Sequence, residues 1–116
     1  MIIALENAKY ELQNFRDNII ELGNALRIEE LKETVASLEQ LTFEPDFWSN
    51  QETSTKTLQK IKQSKDKIEK YEALAARLED AIVMAEMAIE ENDESMTDEI
   101  LEDQKNIMKE EEQMRL

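Results

Sequence analysis

The sequence predicts an all-α fold: an elongated antiparallel helical bundle or coiled coil of three long helices plus one short helix. Three observations predict it. The 116 residues include one Gly and one Pro, too few for the turns that strands need. Apolar residues recur at alternating steps of three and four along most of the chain, which places them on one helical stripe. Hydrophobic residues make up 41% and charged residues 36%. That share supplies a core, while no run approaches the roughly 20 apolar residues of a membrane span.

The first element carries Leu5, Ala8, Leu12, Phe15, Ile19, Leu22 and Leu26. Their average spacing of about 3.5 residues is that of a coiled-coil seam. Gly23-Asn24 predicts a break or kink near 23–27, because Gly is favoured just past a helix end. A second stripe of Ile28, Leu31, Val35, Leu38 and Leu41 predicts a short helix over 28–41. It either continues the first helix through a kink or stands as a separate helix; the separate helix is the preferred reading.

Thr42–Asn50 is the clear non-helical segment, since Pro45 pushes Glu44 out of the helical region. Phe43, Phe47 and Trp48, three of the six aromatic residues, fall here. Pro45, Phe47 and Trp48 are expected to form a structural connector whose rings pack on the bundle; the competing reading is an aromatic patch for a partner. Asn50 is a suitable N-cap for a helix running to about Glu91, ~60 Å long. Its stripe reads Ile61, Ser64, Ile68, Tyr71, Ala75, Leu78, Ile82, Ala85 and Ile89. Such a rod needs a neighbour, and the first segment is expected to pair with it antiparallel at roughly 20°. After a polar break at 90–95, Ser95 or Thr97 is expected to cap a last helix carrying Ile100, Leu101, Ile107, Met108 and Met114, a stripe blurred by Gln104 and Glu111. The pattern reaches Leu116 without a C-cap signal, so 1–116 is expected to be a single domain cut from a longer protein.

Chemistry is constrained by what is missing. The chain has no Cys and no His, which removes disulfides, the usual zinc ligand sets, thiol nucleophiles and imidazole acid–base catalysis. One Gly cannot build a phosphate-cradling loop. Acid pairs such as Glu29-Glu30, Glu90-Glu91 and Asp98-Glu99 read as solvated faces among 28 acids, because adjacent residues on a helix point to different sides. The expectation is no catalytic, metal or cofactor-binding residue, and no enzyme. The apolar start Met1–Leu5 has no basic flank and is too short for a signal peptide. A net charge of -14 suits a cytoplasmic chain repelled by membranes and nucleic acid except where charge reverses locally.

It does reverse. Residues 79–112 hold 14 acids against two lysines, whereas 56–70 hold six lysines against Asp66 and Glu69. Lys56, Lys60, Lys67 and Lys70 fall within ~80° of one another on a helix. Two readings compete: a solvated face pairing with acids on a neighbouring helix, or a stripe meeting phosphates. Without Arg or interleaved aromatic residues, any nucleic-acid contact would be to RNA backbone. Met84, Met87, Met96, Met108 and Met114 read as core filling rather than a soft binding surface.

At Phe43-Glu44-Pro45-Asp46-Phe47-Trp48-Ser49-Asn50 a resemblance emerges. A Pro-Asp-Phe-Trp-Ser-Asn run, after a helix ending in Leu38-Glu39-Gln40 and before a long helix, resembles the N-terminal domain of bacterial class I peptide chain release factors. Phe15-Arg16 and the acidic break before the last helix sit at similar positions. The Trp48 segment favours factor two over factor one. The resemblance implies a parent that recognises UAA and UGA and triggers peptidyl-tRNA hydrolysis on the ribosome. That family's Gly-Gly-Gln loop and Ser-Pro-Phe tripeptide are both missing here. The fragment would therefore contribute contacts and domain positioning. Implied partners are the ribosome, at the large-subunit stalk base and its rRNA, the class II release factor GTPase, and the rest of its own polypeptide. The expected state is a monomer. A structural coiled-coil scaffold or homodimerisation module is the alternative.

Overall fold

The computed structural model describes residues 2–116, so of the apolar start only Met1 lies outside it. Five helices follow in order: α1 (Ile2–Asn14), α2 (Arg16–Ala25), α3 (Ile28–Leu41), α4 (Gln51–Glu90) and α5 (Thr97–Arg115). No strand occurs among the described residues. α1 and α2 are one bent rod: Phe15 between them keeps helical angles (φ -70, ψ -12). Its N–H is shared between the carbonyls of Glu11 and Leu12 at 3.0 and 3.1 Å, a local tightening of the helix. Three long rods and one short helix thus form an all-α body measuring 63 × 23 × 17 Å.

The body has two parts. At one end three rods pack together. Leu12, Ile19 and Leu22 meet Leu74, Leu78, Ala81 and Ile82 of α4 and Ile107 of α5. Beyond them Leu5 and Ala8 meet Ala85, Ala88 and Ile100. At the other end α3 and the first half of α4 form a two-helix arm around Val35, Ile61 and Ile68, flanked by Leu31 and Leu38. α4 therefore buries one seam in the arm and two in the bundle. The stripe expected for α4 is correct but incomplete: Leu74, Ala81 and Ala88 are also buried, because α5 supplies a second neighbour.

Register along α4 shows how α3 relates to the first rod. Arg16 pairs with Glu79 at 2.7 Å and Gly23 lies against Tyr71, an antiparallel progression. Yet Lys32 pairs with Glu72 at 2.9 Å and Lys65 with Glu39 at 2.7 Å. From Gly23 to Lys32 the chain uses nine residues, while its partner on α4 advances only from Tyr71 to Glu72. The chain steps sideways at Arg27, whose φ 57 and ψ 46 are left-handed, and then resumes the same direction. α3 is thus a separate helix that continues along α4 rather than folding back on α2.

Gly23 corrects an expectation. It does not end the helix but lies within α2. Its smallness serves a close approach instead: an added Cβ would stand 2.5 Å from the Tyr71 hydroxyl and 2.8 Å from its Cζ. That hydroxyl donates to the Ile19 carbonyl at 3.0 Å, and burial pushes its pKa upward. Gly23→Ala should therefore cost about 1–2 kcal/mol despite the better helix propensity of Ala. In a Tyr71→Ala background the same change should instead stabilise by up to about 1 kcal/mol. Denaturant titration of the four variants checks the reversal of sign.

The ends of the long helix are hydrogen-bonded. Asn50 caps α4, its side chain accepting from the Thr53 N–H at 3.2 Å. At the far end Asn92 is left-handed (φ 52). Its N–H donates to the Ile89 carbonyl and that of Asp93 to the Ala88 carbonyl, the paired bonds of a Schellman ending. Neither Ser95 nor Thr97 caps α5, contrary to expectation. Met96 occupies the cap; Ser95 lowers the Asp93 pKa, first through its side chain and then through its N–H, which donates to the Asp93 carboxylate at 2.9 Å. The Thr97 hydroxyl is buried without a partner.

In α5 the apparent blur is itself the seam. Ile100, Gln104, Ile107 and Glu111 are buried, whereas Leu101 is partly exposed. Gln104 donates to Glu11 at 2.6 Å. Glu111 is paired with Arg115, which also donates to the Asn18 carbonyl at 3.2 Å. These partners satisfy polar groups that would otherwise oppose burial.

Candidate functional site

The arm carries both features singled out in the sequence. All six lysines of 56–70 are exposed. Lys65 joins Glu39 across the α3–α4 contact, and that hydrogen bond raises its pKa. Lys62 and Lys56 pair only within α4, with Asp66 and Glu52, each at 3.5 Å. Lys60, Lys67 and Lys70 have no ion pair among the described residues. Thus none of the four stripe lysines pairs with an acid on a neighbouring helix; Lys65, outside the stripe, does.

Their position follows from the heptad. Lys60, Lys67, Leu74, Ala81 and Ala88 are seven residues apart and form one file along α4. Lys56, Gln63, Lys70, Arg77 and Met84 form the adjoining file. In the bundle the first file is buried and Arg77 of the second reaches Glu110 and Asp103 of α5. In the arm the same files present lysines to solvent. The stripe is therefore the uncovered continuation of the track that α5 occupies, about 21 Å long from Lys56 to Lys70 at 1.5 Å per residue.

The rings do not tuck into the bundle, which corrects the packing expected of the connector. Phe43 is 80% and Trp48 61% exposed, and Leu58 of α4 beside them is 41% exposed. Phe47 is half-buried and meets Trp48 edge to face at 4.7 Å. The backbone beneath is nonetheless firmly held. Pro45 sits in successive turns with bonds from Phe43 to Gln40, Glu44 to Leu41 and Phe47 to Glu44. A single 3-10 turn spans Phe47–Ser49, and the buried Ser54 hydroxyl is bonded to the carbonyls of Phe47 and Asn50. α3 ends before reaching the start of α4, so nothing covers the rings. Trp48→Ala should accordingly cost about 1 kcal/mol or less, instead of the 3–5 kcal/mol of a buried ring; urea unfolding followed by circular dichroism tests this.

Among the described residues no group of three or more acids is placed to hold a metal ion, and no helix is long and apolar enough to cross a membrane. Open grooves line the surface, one of them between α2 and α3 against Tyr71. An acidic three-rod end is thus joined to a two-helix arm that exposes lysines and rings, in an elongated all-helical body.

The particular relationship comes from sequence comparison. The chain is 36% identical to peptide chain release factor 2 of Clostridium perfringens strain SM101 over 110 residues, 95% of this chain and 30% of the relative. Against the same factor of strain ATCC 13124 it is 34% identical over 108 residues, 93% of this chain and 30% of the relative. Against that of Exiguobacterium sp. AT1b it is 32% identical over 108 residues, with the same shares. The resemblance to bacterial peptide chain release factor 2 therefore extends over nearly the whole chain, and the chain spans about 30% of the length of the curated relatives it matches. No family model and no solved structure matches it.

Proposed function

We propose that the chain is the N-terminal helical domain of a class I peptide chain release factor and that it positions the remainder of the factor on the ribosome during termination at UAA and UGA codons. The observation that carries this is similarity to release factor 2 along 95% of the chain. The domain reads no codon and cleaves no ester; it works in the cytoplasm, as a monomer, by contact. Its partners are the large-subunit stalk base with its rRNA, the class II release factor GTPase and the rest of its own polypeptide. Lys56, Lys60, Lys67 and Lys70 meet RNA backbone phosphates, an assignment supported by their exposure and shared face. The acidic end, with 14 acids across 79–112, points away from RNA.

The test is competition. Excess chain should displace labelled full-length release factor 2 from ribosomes and co-sediment with them at low salt. Failure of both, with the chain folded, overturns the proposal. Sedimentation of the free chain separates the scaffold reading: a 13.6 kDa monomer fits a domain whose seams close within one molecule, and a stable micromolar dimer fits the scaffold.

A further inference from the structure

The lysine stripe leaves the other side of the arm unexplained. Leu58 and Ile61 lie roughly 135–165° around α4 from the centre of the lysine face. There, a groove of about 540 Å³ runs between α3 and the start of α4, bounded by Phe43, Trp48, Leu58 and Ile61. Two large rings in water on a backbone fixed by hydrogen bonds make a preformed apolar surface, and binding to it loses little loop entropy.

The charge around the rings selects the partner. The one charged residue lining the groove is Glu39, which Lys65 of α4 neutralises, so the charges that count are those beside the rings. Glu44 and Asp46 flank the rings in the same turns, are exposed and have no ion pair among the described residues. Carboxylates beside aromatic rings repel a phosphate backbone and attract cations. The groove suits apolar side chains spaced along one helical face.

We infer that the groove between Phe43, Trp48 and Leu58 docks a basic amphipathic helix of a partner protein. This inference stands independently of the release-factor reading, because it uses neither the lysine stripe nor the sequence relatives.

Trp48 is the sole tryptophan, so its emission reports on the site directly. The probe is a synthetic helix of about 18 residues with Leu on one face and Lys on the other. Titrating it into the full chain should give a saturable blue shift of Trp48. Phe43→Ser and Leu58→Ser should each weaken binding about tenfold, as should Glu44→Lys with Asp46→Lys, while thermal melts stay unchanged. Glu90→Lys with Glu91→Lys, at the far end, should change affinity by less than about threefold. No shift, unchanged affinity in the Phe43 and Leu58 variants, or an equal loss from the far-end reversal would overturn the inference; the last outcome would mean that net charge alone attracts the peptide. Phe43-dependent quenching of Trp48 by single-stranded RNA, in place of a response to the peptide, would also overturn it and assign the rings to base stacking.

Discussion

Leu78→Ala is expected to destabilise the protein by about 3–4 kcal/mol, the largest effect of any single truncation proposed here. Leu78 is 1% exposed, and its cluster joins Leu12, Ile19 and Leu22 of the first rod to Ile107 of α5. With three rods converging, none can close over the vacancy without leaving another contact, so most of the cavity should persist. A domain of this size is stable by roughly 5–15 kcal/mol in total, so the loss is a large share. Val35→Ala in the arm should cost only about 1–2 kcal/mol, since two helices leave the site room to relax. Hydrogen exchange distinguishes the two. Val35→Ala should release amides of α3 and the first half of α4 alone, whereas Leu78→Ala should lower protection in every helix of the bundle. Equal effects at both sites would contradict the division into bundle and arm.

The second large effect concerns binding. Replacing Lys56, Lys60, Lys67 and Lys70 with Gln should weaken ribosome association about 100- to 1,000-fold near 0.1 M salt and lower the salt slope by about three to four. Each neutralised phosphate holds counterions that binding releases, and four lysines on one line account for most of such a slope. Folding should hardly respond, because among the described residues the only ion pair lost is the exposed Lys56–Glu52 pair, worth about 0.5 kcal/mol at most. Lys105→Gln with Lys109→Gln, in the acidic end, is the matched control and should leave the slope nearly unchanged. An unaltered slope in the fourfold variant would reduce the stripe to a solvated face.

Helices were legible because periodicity reports which side of a rod is apolar. The spacing of Ile28, Leu31, Val35, Leu38 and Leu41 coincides with α3, and Asn50 caps α4 as its type suggests. Periodicity does not report how many neighbours a rod has. Leu74, Ala81 and Ala88 fall outside the single stripe because the second seam exists only once α5 lies beside it. Gln104 and Glu111 read as interruptions because the groups that satisfy them lie elsewhere: Glu11 in α1, and Arg115 a turn further on, itself held by the Asn18 carbonyl. Arg27 carries no sign of its left-handed backbone, since Gly or Asn usually occupies that region. Gly23 sent the wrong signal because a glycine demanded by a neighbouring ring looks the same in sequence as one demanded by a turn.

For the exposed lysines and rings, residue type and spacing were readable and depth was not. The four lysines share a face as their angles require, yet only the fold reveals that this face is the unoccupied extension of the α5 track. Aromatic residues usually bury, so burial is the expectation for rings such as those of Phe43 and Trp48. The short reach of α3 leaves them in water instead.

α4 passes through both regions as one uninterrupted helix of 40 residues, within a body 63 Å long. Rocking the acidic end by about 5° would sweep the opposite tip through about 5 Å, with no joint in α4 to absorb the motion. A stiff rod of this length has the geometry of a lever, in which a small tilt at one end equals a displacement of about one helical turn at the other.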